Sequence, residues 1–402
     1  MHYTVTLLIL QMKKYKIAHI VTRLDFGGAQ FNTLYTASHL DPARFDVSLL
    51  AGPGGTMENI PEDIAVNVIP ELRRSINPFY DLKALFALAS RLKDIKPDLV
   101  HTHSSKAGIL GRIAARMAGV PFIVHTFHGF GFHPYQNPAV RNLYVMLEKY
   151  CATFSSALVF VSKSNMEYAR SLGIGSSDRY NLIRSGIKLS RYPANADRRK
   201  ILESLRADSR FTVNAEAASK AIVVSSIGNS KPQKNPADFI HAAAELVKKR
   251  PDLLFVFAGG GNELERFRKM VRDLGIEKQF LLPGWRSDSA EILSVSDIYA
   301  MTSLWEGLPR SLVEAFASGL PAVCYRADGV TDILADGVNG FSTEKKDIAG
   351  FTEKLGKVID DPDLRRKLAS GAADTDLAEF DIDFMVRRQE ELYLRLFECV
   401  PS

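Results

Sequence analysis

Cysteine, tryptophan and long apolar runs are all scarce in this sequence. The three cysteines, Cys151, Cys324 and Cys399, stand far apart and are odd in number. Neither a disulfide framework nor a C-x-x-C metal site can be built from them, and a reduced, cytosolic chain is expected. No stretch approaches 18 consecutive apolar residues, so no membrane-spanning helix is expected. The single N-terminal apolar run, Val5 to Leu10, is shorter still. It lacks the basic segment and small-residue cleavage site of a signal peptide. Met12 opens what reads as a normal first strand, so translation is expected to begin there, with residues 1–11 dispensable. Internal repeats and low-complexity segments are also missing. What remains is ordinary: 46% apolar and 24% charged residues among 402, the composition of a folded globular protein. Disordered tails, fibrous repeats and polytopic membrane proteins are excluded.

Acidic residues are scarce only in the first half. Residues 1–200 carry 25 Lys and Arg against 14 Asp and Glu, whereas residues 201–402 carry 26 against 32. Eight of the nine histidines also lie in the first half. A basic half joined to an acidic half points to a polyanionic partner for the first. Phospholipid, a phosphate-bearing substrate and nucleic acid all satisfy that chemistry.

Short β-branched runs alternate with helical patterns. Strands are expected at Lys16–Thr22, Phe45–Leu50, Ile64–Ile69, Asp98–His103, Phe122–Thr126, Ala157–Ser162 and Tyr180–Arg184. Asp81–Ile95 shows apolar residues at helical spacing. A second series follows at Ala221–Ile227, Leu253–Ala258, Gln279–Leu282, Asp297–Thr302 and Pro321–Tyr325. Strand–helix alternation implies parallel sheets covered on both faces. The expected architecture is α/β: two tandem doubly wound, Rossmann-like domains with an interdomain cleft. The domains are read as 12–190 and 221–381, with a linker at 191–220. An amphipathic helix at 382–402 is expected to pack back toward the first domain. In such sheets, ligands bind at the strand C-terminal ends.

Chemistry-bearing residues gather at those ends. Gly27 and Gly28 follow the first strand and open a helix, where amide groups and the helix dipole favour an anion. The dinucleotide pattern G-x-G-x-x-G is absent there. His101 and His103 end one strand, and His125 and His128 end the next. No H-x-x-x-H helix or nearby carboxylate supports a metal. His128 is the candidate active-site histidine, followed by the flexible Gly129-Phe130-Gly131. Lys106, Arg112 and Arg116 share one helical stretch and are candidates for contact with the acceptor or a membrane. In the second half, Gly228 to Pro236 places Lys231 and Lys234 in a Gly/Pro loop before a helix, suited to a diphosphate. It is not a P-loop. Pro283-Gly284-Trp285-Arg286 closes a later strand. Glu306 lies in the loop before a helix begun by Pro309, and Glu314 lies within that helix. Carboxylates facing a ligand accept hydrogen bonds from sugar hydroxyls.

Glu306 to Glu314 resembles the E-x7-E motif of retaining glycosyltransferases of the two-domain GT-B fold, family 4. Gly27-Gly28, His125 to Gly129, Gly228 to Lys234 and Ala335 to Phe341 resemble the family's other motifs, in order. The resemblance covers roughly residues 13–398. It implies a GT-B fold and transfer of a sugar from a nucleotide-sugar, a UDP-sugar being expected, to a lipid-linked or saccharide acceptor. Glu314 would hold the ribose. Glu306, with Gly307 and Leu308 beside it, would contact the transferred sugar, and His128 would touch that sugar near its anomeric centre. Lys234 would neutralise the diphosphate. Arg286 would lie by the base, and Gly27 and Gly28 by the phosphates. Asn229 stands where the family has arginine, so Lys231 is expected to supply that charge. No metal and no cofactor is expected, and no nucleic acid as partner. The enzyme would act in the cytoplasm, peripherally on the anionic inner face of the cell membrane, in polysaccharide or lipid-linked oligosaccharide synthesis. Two alternatives are a nucleotide-sugar epimerase of the same fold and a non-catalytic scaffold. The D-x-D triplets at Asp374 and Asp381 lie in a terminal helical region and read as surface.

Overall fold

The computed structural model describes residues 14–25, 27–55, 64–209 and 221–398. Residues 1–11, read as dispensable, lie outside the described residues. The chain forms two compact units. The first runs to Phe160 and takes in 169–181 and the chain from Val386 on; the second holds 161–168 and 182–385.

The first unit contains β1 (Tyr15–Val21), α1 (Gly28–His39), β2 (Phe45–Ala51), β3 (Ala65–Val68), α2 (Pro78–Ile95), β4 (Leu99–His103), α3 (Ser105–Ala118), β5 (Phe122–Phe127), α4 (Pro138–Ala152), β6 (Ala157–Phe160) and β7 (Tyr180–Leu182). Helix α5 (Lys163–Leu172) passes out of the second unit into the first. The strand order is β3-β2-β1-β4-β5-β6-β7, and the neighbours from β3 to β6 are parallel. β4 and β6 are buried along their whole length. That is why β6 reads as a continuous apolar run, Ala-Leu-Val-Phe, rather than an alternation, whereas β4 buries His-Thr-His after two apolar residues. Asn77 starts α2 by accepting from the amides of Phe79 and Tyr80, with Pro78 in the first turn.

The second unit contains α6 (Arg198–Ser209), β8 (Ile222–Ile227), α7 (Pro236–Lys249), β9 (Leu253–Ala258), α8 (Leu264–Asp273), β10 (Phe280–Gly284), α9 (Ser289–Ser294), β11 (Ile298–Met301), α10 (Arg310–Ala317), β12 (Ala322–Tyr325), β13 (Gly340–Thr343), α11 (Ile348–Asp360) and α12 (Pro362–Ala373). Its order is β10-β9-β8-β11-β12-β13, parallel throughout. β13 was not expected: four residues after a turn carry too little apolar pattern to stand out. The stretch 191–220, read as a linker with an irregular helix, contains α6, whose Leu202 and Leu205 are buried with Val223, Leu254, Val256 and Leu281. Residues 210–220 lie outside the described residues.

The last helix, α13 (Ile382–Glu398), begins in the second unit and continues in the first. Asp381 caps it by accepting from the amides of Asp383 and Phe384. In the first unit Phe397 stacks on Tyr15 at 4.0 Å and meets Phe122 edge-on.

Candidate active site

Four histidines of the first unit are buried: His19, His101, His103 and His125. Parallel pairing puts His19 of β1 opposite His101 of β4. His101 and His103 share a face because strand side chains alternate. His125 leaves that set. It pairs with Thr102 in register, bonds the Thr102 hydroxyl at 2.9 Å, and packs so close under α3 that a Cβ on Gly108 would meet its ring at 2.4 Å. It is a core residue. His128, half-buried just beyond β5, joins the other face: its Nε2 lies 3.1 Å from His103 Nδ1. His103 Nε2 lies 2.9 Å from His19 Nδ1. Burial pushes His19 down to about 3 and holds His101, His103 and His125 well below the usual imidazole range, so all four are neutral.

Sequence reading did not single out His19, which hides within an apolar strand. Among the described residues, His19, His101 and His103 form the one cluster whose ligand atoms lie close enough for a metal, within 4.8 Å. No carboxylate or thiolate belongs to it. His101 also has both nitrogens occupied, by the Tyr393 hydroxyl at 2.5 Å and the Thr126 hydroxyl at 2.7 Å. The chemistry is that of a hydrogen-bonded stack.

Gly27 caps α1 in an extended conformation, and no acidic residue occupies the first turn. The helix dipole at this start favours an anion.

In the second unit the loop after β8 and the loop after β11 are laced together. The Gln233 amide donates to the Trp305 carbonyl at 2.9 Å, the Leu304 amide to the Gln233 carbonyl at 2.8 Å, and the Thr302 hydroxyl to the Asn235 carbonyl at 2.8 Å. Asn235 takes a left-handed conformation (φ 47°), and Pro236 starts α7. This bracing brings Lys234 Nζ to 2.5 Å from Glu306 Oε1, a pair whose carboxylate is buried. Gly329 is required here: at φ 73°, a Cβ would come within 2.4 Å of the Gly307 carbonyl. Glu314 rises from α10 into the same neighbourhood. Burial raises its carboxyl above the ordinary range, opposed by the charges of Arg310, Arg191 and Lys234. Tyr192 is pushed up to about 12, by burial first and then by the Glu314 carboxylate. Sequence reading found Lys234, Glu306 and Glu314, which the fold gathers. It gave no role to Arg310, although that residue lies within Glu306 to Glu314, and it missed Arg191 and Gly329, which carry no motif.

Arg286 is committed elsewhere. Its guanidinium grips Asp288 through two bonds of 2.8 and 2.6 Å, donates to Ser204 at 2.9 Å and pairs with Asp208. It ties α6 to the loop after β10. Neighbouring Trp285 lies against Gly260, where a Cβ would meet the indole at 2.3 Å.

The basic residues of α3 do not form the expected surface. Arg112 is fully buried, donating to the Gly108 carbonyl and pairing with Glu148 of α4. Lys106 bonds the Ser75 carbonyl and pairs with Asp81 of α2. Arg116 is exposed, its guanidinium 4.8 Å from the Phe154 ring centre. α3 lies between α2 and α4, so two of its three cations serve its neighbours.

Residues 27–186 match the glycosyl transferase 4-like domain, and residues 209–375 match glycosyl transferases group 1. The chain is 32% identical over 392 residues to the Escherichia coli UDP-Gal:alpha-D-GlcNAc-diphosphoundecaprenol alpha-1,3-galactosyltransferase, covering 95% of this chain and 97% of that one. It is 28% identical over 334 residues to the Campylobacter jejuni N,N'-diacetylbacillosaminyl-diphospho-undecaprenol alpha-1,3-N-acetylgalactosaminyltransferase, covering 82% and 85%. The fold matches Anabaena HepE in complex with UDP and glucose, with a TM-score of 0.79 at 20% identity over 95% of this chain and all of that one. It also matches the lipopolysaccharide glycosyltransferase WaaG, with a TM-score of 0.72 at 18% identity over 94% and 99%. The chain belongs to the family 4 glycosyltransferases and has their GT-B fold.

Proposed function

We propose that this enzyme transfers a sugar from a UDP-sugar to a lipid-linked saccharide at the inner face of the cell membrane, with retention of anomeric configuration. The Lys234–Glu306 pair beside Glu314 carries the reading. A cation, a buried carboxylate and a second carboxylate meet at the C-terminal ends of parallel strands, next to a helix start. That set suits a donor with a diphosphate, a sugar and a ribose. Departure of the nucleoside diphosphate builds negative charge, which preorganised Lys234, Lys231 and the α7 amides stabilise without a metal. Glu306, freed from Lys234 as the diphosphate takes that cation, turns to the sugar. Glu314 accepts from the ribose hydroxyls. His128 contacts the transferred sugar. The names of the two relatives, each acting on a diphosphoundecaprenol-linked saccharide, support the acceptor class.

A membrane location has its own support. Ten of the fifteen exposed large apolar side chains among the described residues fall between Ile76 and Tyr150. Ile76, Phe79, Leu82 and Phe86 follow the outer side of α2; Val140, Leu143, Met146 and Tyr150 follow that of α4. Residues 73–150 hold eleven Lys and Arg against four Asp and Glu. Two of those acids, Asp81 and Glu148, are bound to Lys106 and Arg112. Apolar stripes within a basic segment suit an anionic lipid surface.

The test is UDP release from a panel of UDP- and GDP-sugars, with and without a polyprenyl-diphosphate-linked sugar. Acceptor-dependent release with an α-linked product supports the proposal. Conversion of the donor alone into an isomer would replace it with epimerisation.

A further inference from the structure

In the first unit, the loop between β3 and α2 turns basic just before the apolar outer stripe of α2 begins. Leu72 anchors it. Its side chain is buried, and its carbonyl lies so close to Gly52, just beyond β2, that a Cβ there would come within 1.8 Å. Asn77 closes the loop as the cap of α2. Between these two stand Arg73, Arg74, Ser75 and Ile76, all exposed. The Ser75 carbonyl accepts from Lys106 Nζ of α3, so the loop is held at three points.

The charge on this loop is unbalanced. Lys106 is matched by Asp81. Arg23 and Arg74 share one carboxylate, Asp25, at 2.8 and 3.8 Å, and the Arg74 side chain stays 63% exposed. Arg73 holds its guanidinium 3.7 Å from the Tyr80 ring centre. Among the described residues no ion pair engages Arg73, and Glu71 beside it still leaves the group positive. Stacking fixes a guanidinium by its face and leaves its N–H edge for an anion. Two adjacent guanidinium forks match two adjacent phosphoryl groups, which a bilayer headgroup with a single phosphate does not supply. Ile76 and Phe79, 67% and 62% exposed, follow at once, so an anion held here has apolar surface on one side. On the other side Arg74 leads through Asp25 toward Thr22, whose hydroxyl lies 3.0 Å from that of Ser104, next to His103.

We propose that Arg73 and Arg74 bind the diphosphate of the lipid-linked acceptor, with its polyprenyl chain leaving over Ile76 and Phe79 and its sugar directed toward His103. Such a lipid has an apolar chain, a dianion and a saccharide in that order. This edge of the unit presents apolar side chains, two arginines, and then hydroxyls and histidines in the same order. Arg23 keeps Asp25 paired when Arg74 turns to the phosphate. The identity of the lipid rests on the acceptor class read above; the anion site rests on the arginines.

The experiment is calorimetric titration of farnesyl diphosphate into the full chain with UDP present. The parent should bind it. Arg73→Gln with Arg74→Gln should weaken binding about a hundredfold, roughly tenfold for each charged contact. Arg73→Lys keeps the charge but loses the fork, so it should cost less than Arg73→Gln; it also decides if the double variant fails to fold. Lys234→Ala should retain the binding, which separates this site from that of the donor. In transfer assays, the double variant should lower kcat/KM for a polyprenyl-diphosphate-linked sugar about a hundredfold relative to that for an alkyl glycoside of the same sugar. No binding by the parent, equal binding by the double variant, or loss in Lys234→Ala alone overturns the proposal. So does an equal fall for both acceptors. Loss of binding to plain anionic vesicles with unchanged farnesyl diphosphate affinity overturns it in favour of bilayer headgroups. Arginine-dependent binding without transfer to any lipid-linked sugar would keep the anion site and remove the acceptor reading.

Discussion

Glu306 and Glu314 stand eight residues apart in different surroundings, so their loss should differ in kind. Glu314 is assigned to the ribose, which does not react. Glu314→Gln should raise donor KM more than it lowers kcat. Glu306 is assigned to the sugar that changes shape and charge. Glu306→Gln should lower kcat more. A charged hydrogen bond contributes about 1.5–3 kcal/mol, so roughly ten- to hundredfold effects are expected. The Lys234 pair adds a control. Glu306→Gln releases Lys234 from its carboxylate, so free UDP should bind it at least as tightly as the parent and bind Glu314→Gln more weakly. Calorimetry with UDP reads both; the opposite pattern means that the two carboxylates are exchanged. Lys231 gives a second prediction at this scale. Because Asn229 replaces the family's arginine, Lys231→Ala should weaken UDP binding, and parent-like affinity would remove Lys231 from the phosphate site. At the residue scale the sequence picked out Lys234, Glu306 and Glu314, which the fold gathers, but not the partners of Arg286, which also closes a strand yet is held by Asp208 and Asp288. It was silent about His19, because a polar residue inside an apolar strand shows its role only when register sets it opposite His101. It misjudged Arg112 because nothing local announces that Glu148, 36 residues on, lies across from it.

At the scale of elements, α2 and α4 carry what was expected of α3. The sequence showed α2 clearly, since Leu82, Leu85, Phe86, Ala89 and Leu92 recur at helical spacing. Its outer residues Phe79, Leu82 and Phe86 belong to the same apolar count, and only burial separates the two faces. Most strand positions were legible too, because fully buried parallel strands are compact apolar runs between turns. β13 was not, being four residues long, and α6 was legible only as an irregular helix, because its buried leucines sit in an otherwise charged segment. The membrane prediction follows the corrected surface. Leu82→Glu and Phe86→Glu together should weaken binding to anionic vesicles by about a hundredfold or more, because they remove burial worth about 1.5–3 kcal/mol per side chain. The pair is exposed, so folding should be spared; unchanged circular dichroism is the control. Arg116→Ala should cost less, about 1 kcal/mol, and only at low salt. Binding insensitive to the double change but lost with Arg116→Ala would return the docking role to α3. A loss of self-association in place of vesicle binding would mark the stripes as a contact between copies.

Across the whole molecule the histidines make the two units respond differently to acid. His19, His101, His103 and His125 are held neutral in the first unit, while the single histidine of the second unit, His241, is exposed. Each buried histidine has a folded value below its unfolded one of about 6.5. Between those values the unfolded chain binds the extra proton. The stability of the first unit is therefore full above about pH 6.5 and falls as the pH drops, for His19 down to about 3. One pH unit below 6.5, His19 costs about 1.4 kcal/mol, and His101, His103 and His125 add to that cost in the same direction. Glu314 acts with the opposite sign in the second unit. Its raised carboxyl binds a proton more readily when folded, so that contribution is present at low pH and lost as the pH rises. Hydrogen exchange at pH 5.5 and 7.5, corrected for intrinsic rates, should show β1, β4 and β5 losing protection at the lower pH while β8, β9 and β11 keep theirs. Equal loss in both sheets would mean that the buried imidazoles do not control acid stability. His19→Leu sharpens the test: it removes one titrating group from the core, so the protection of β1 should fall less steeply between the two pH values than in the parent, whatever its effect at pH 7.5.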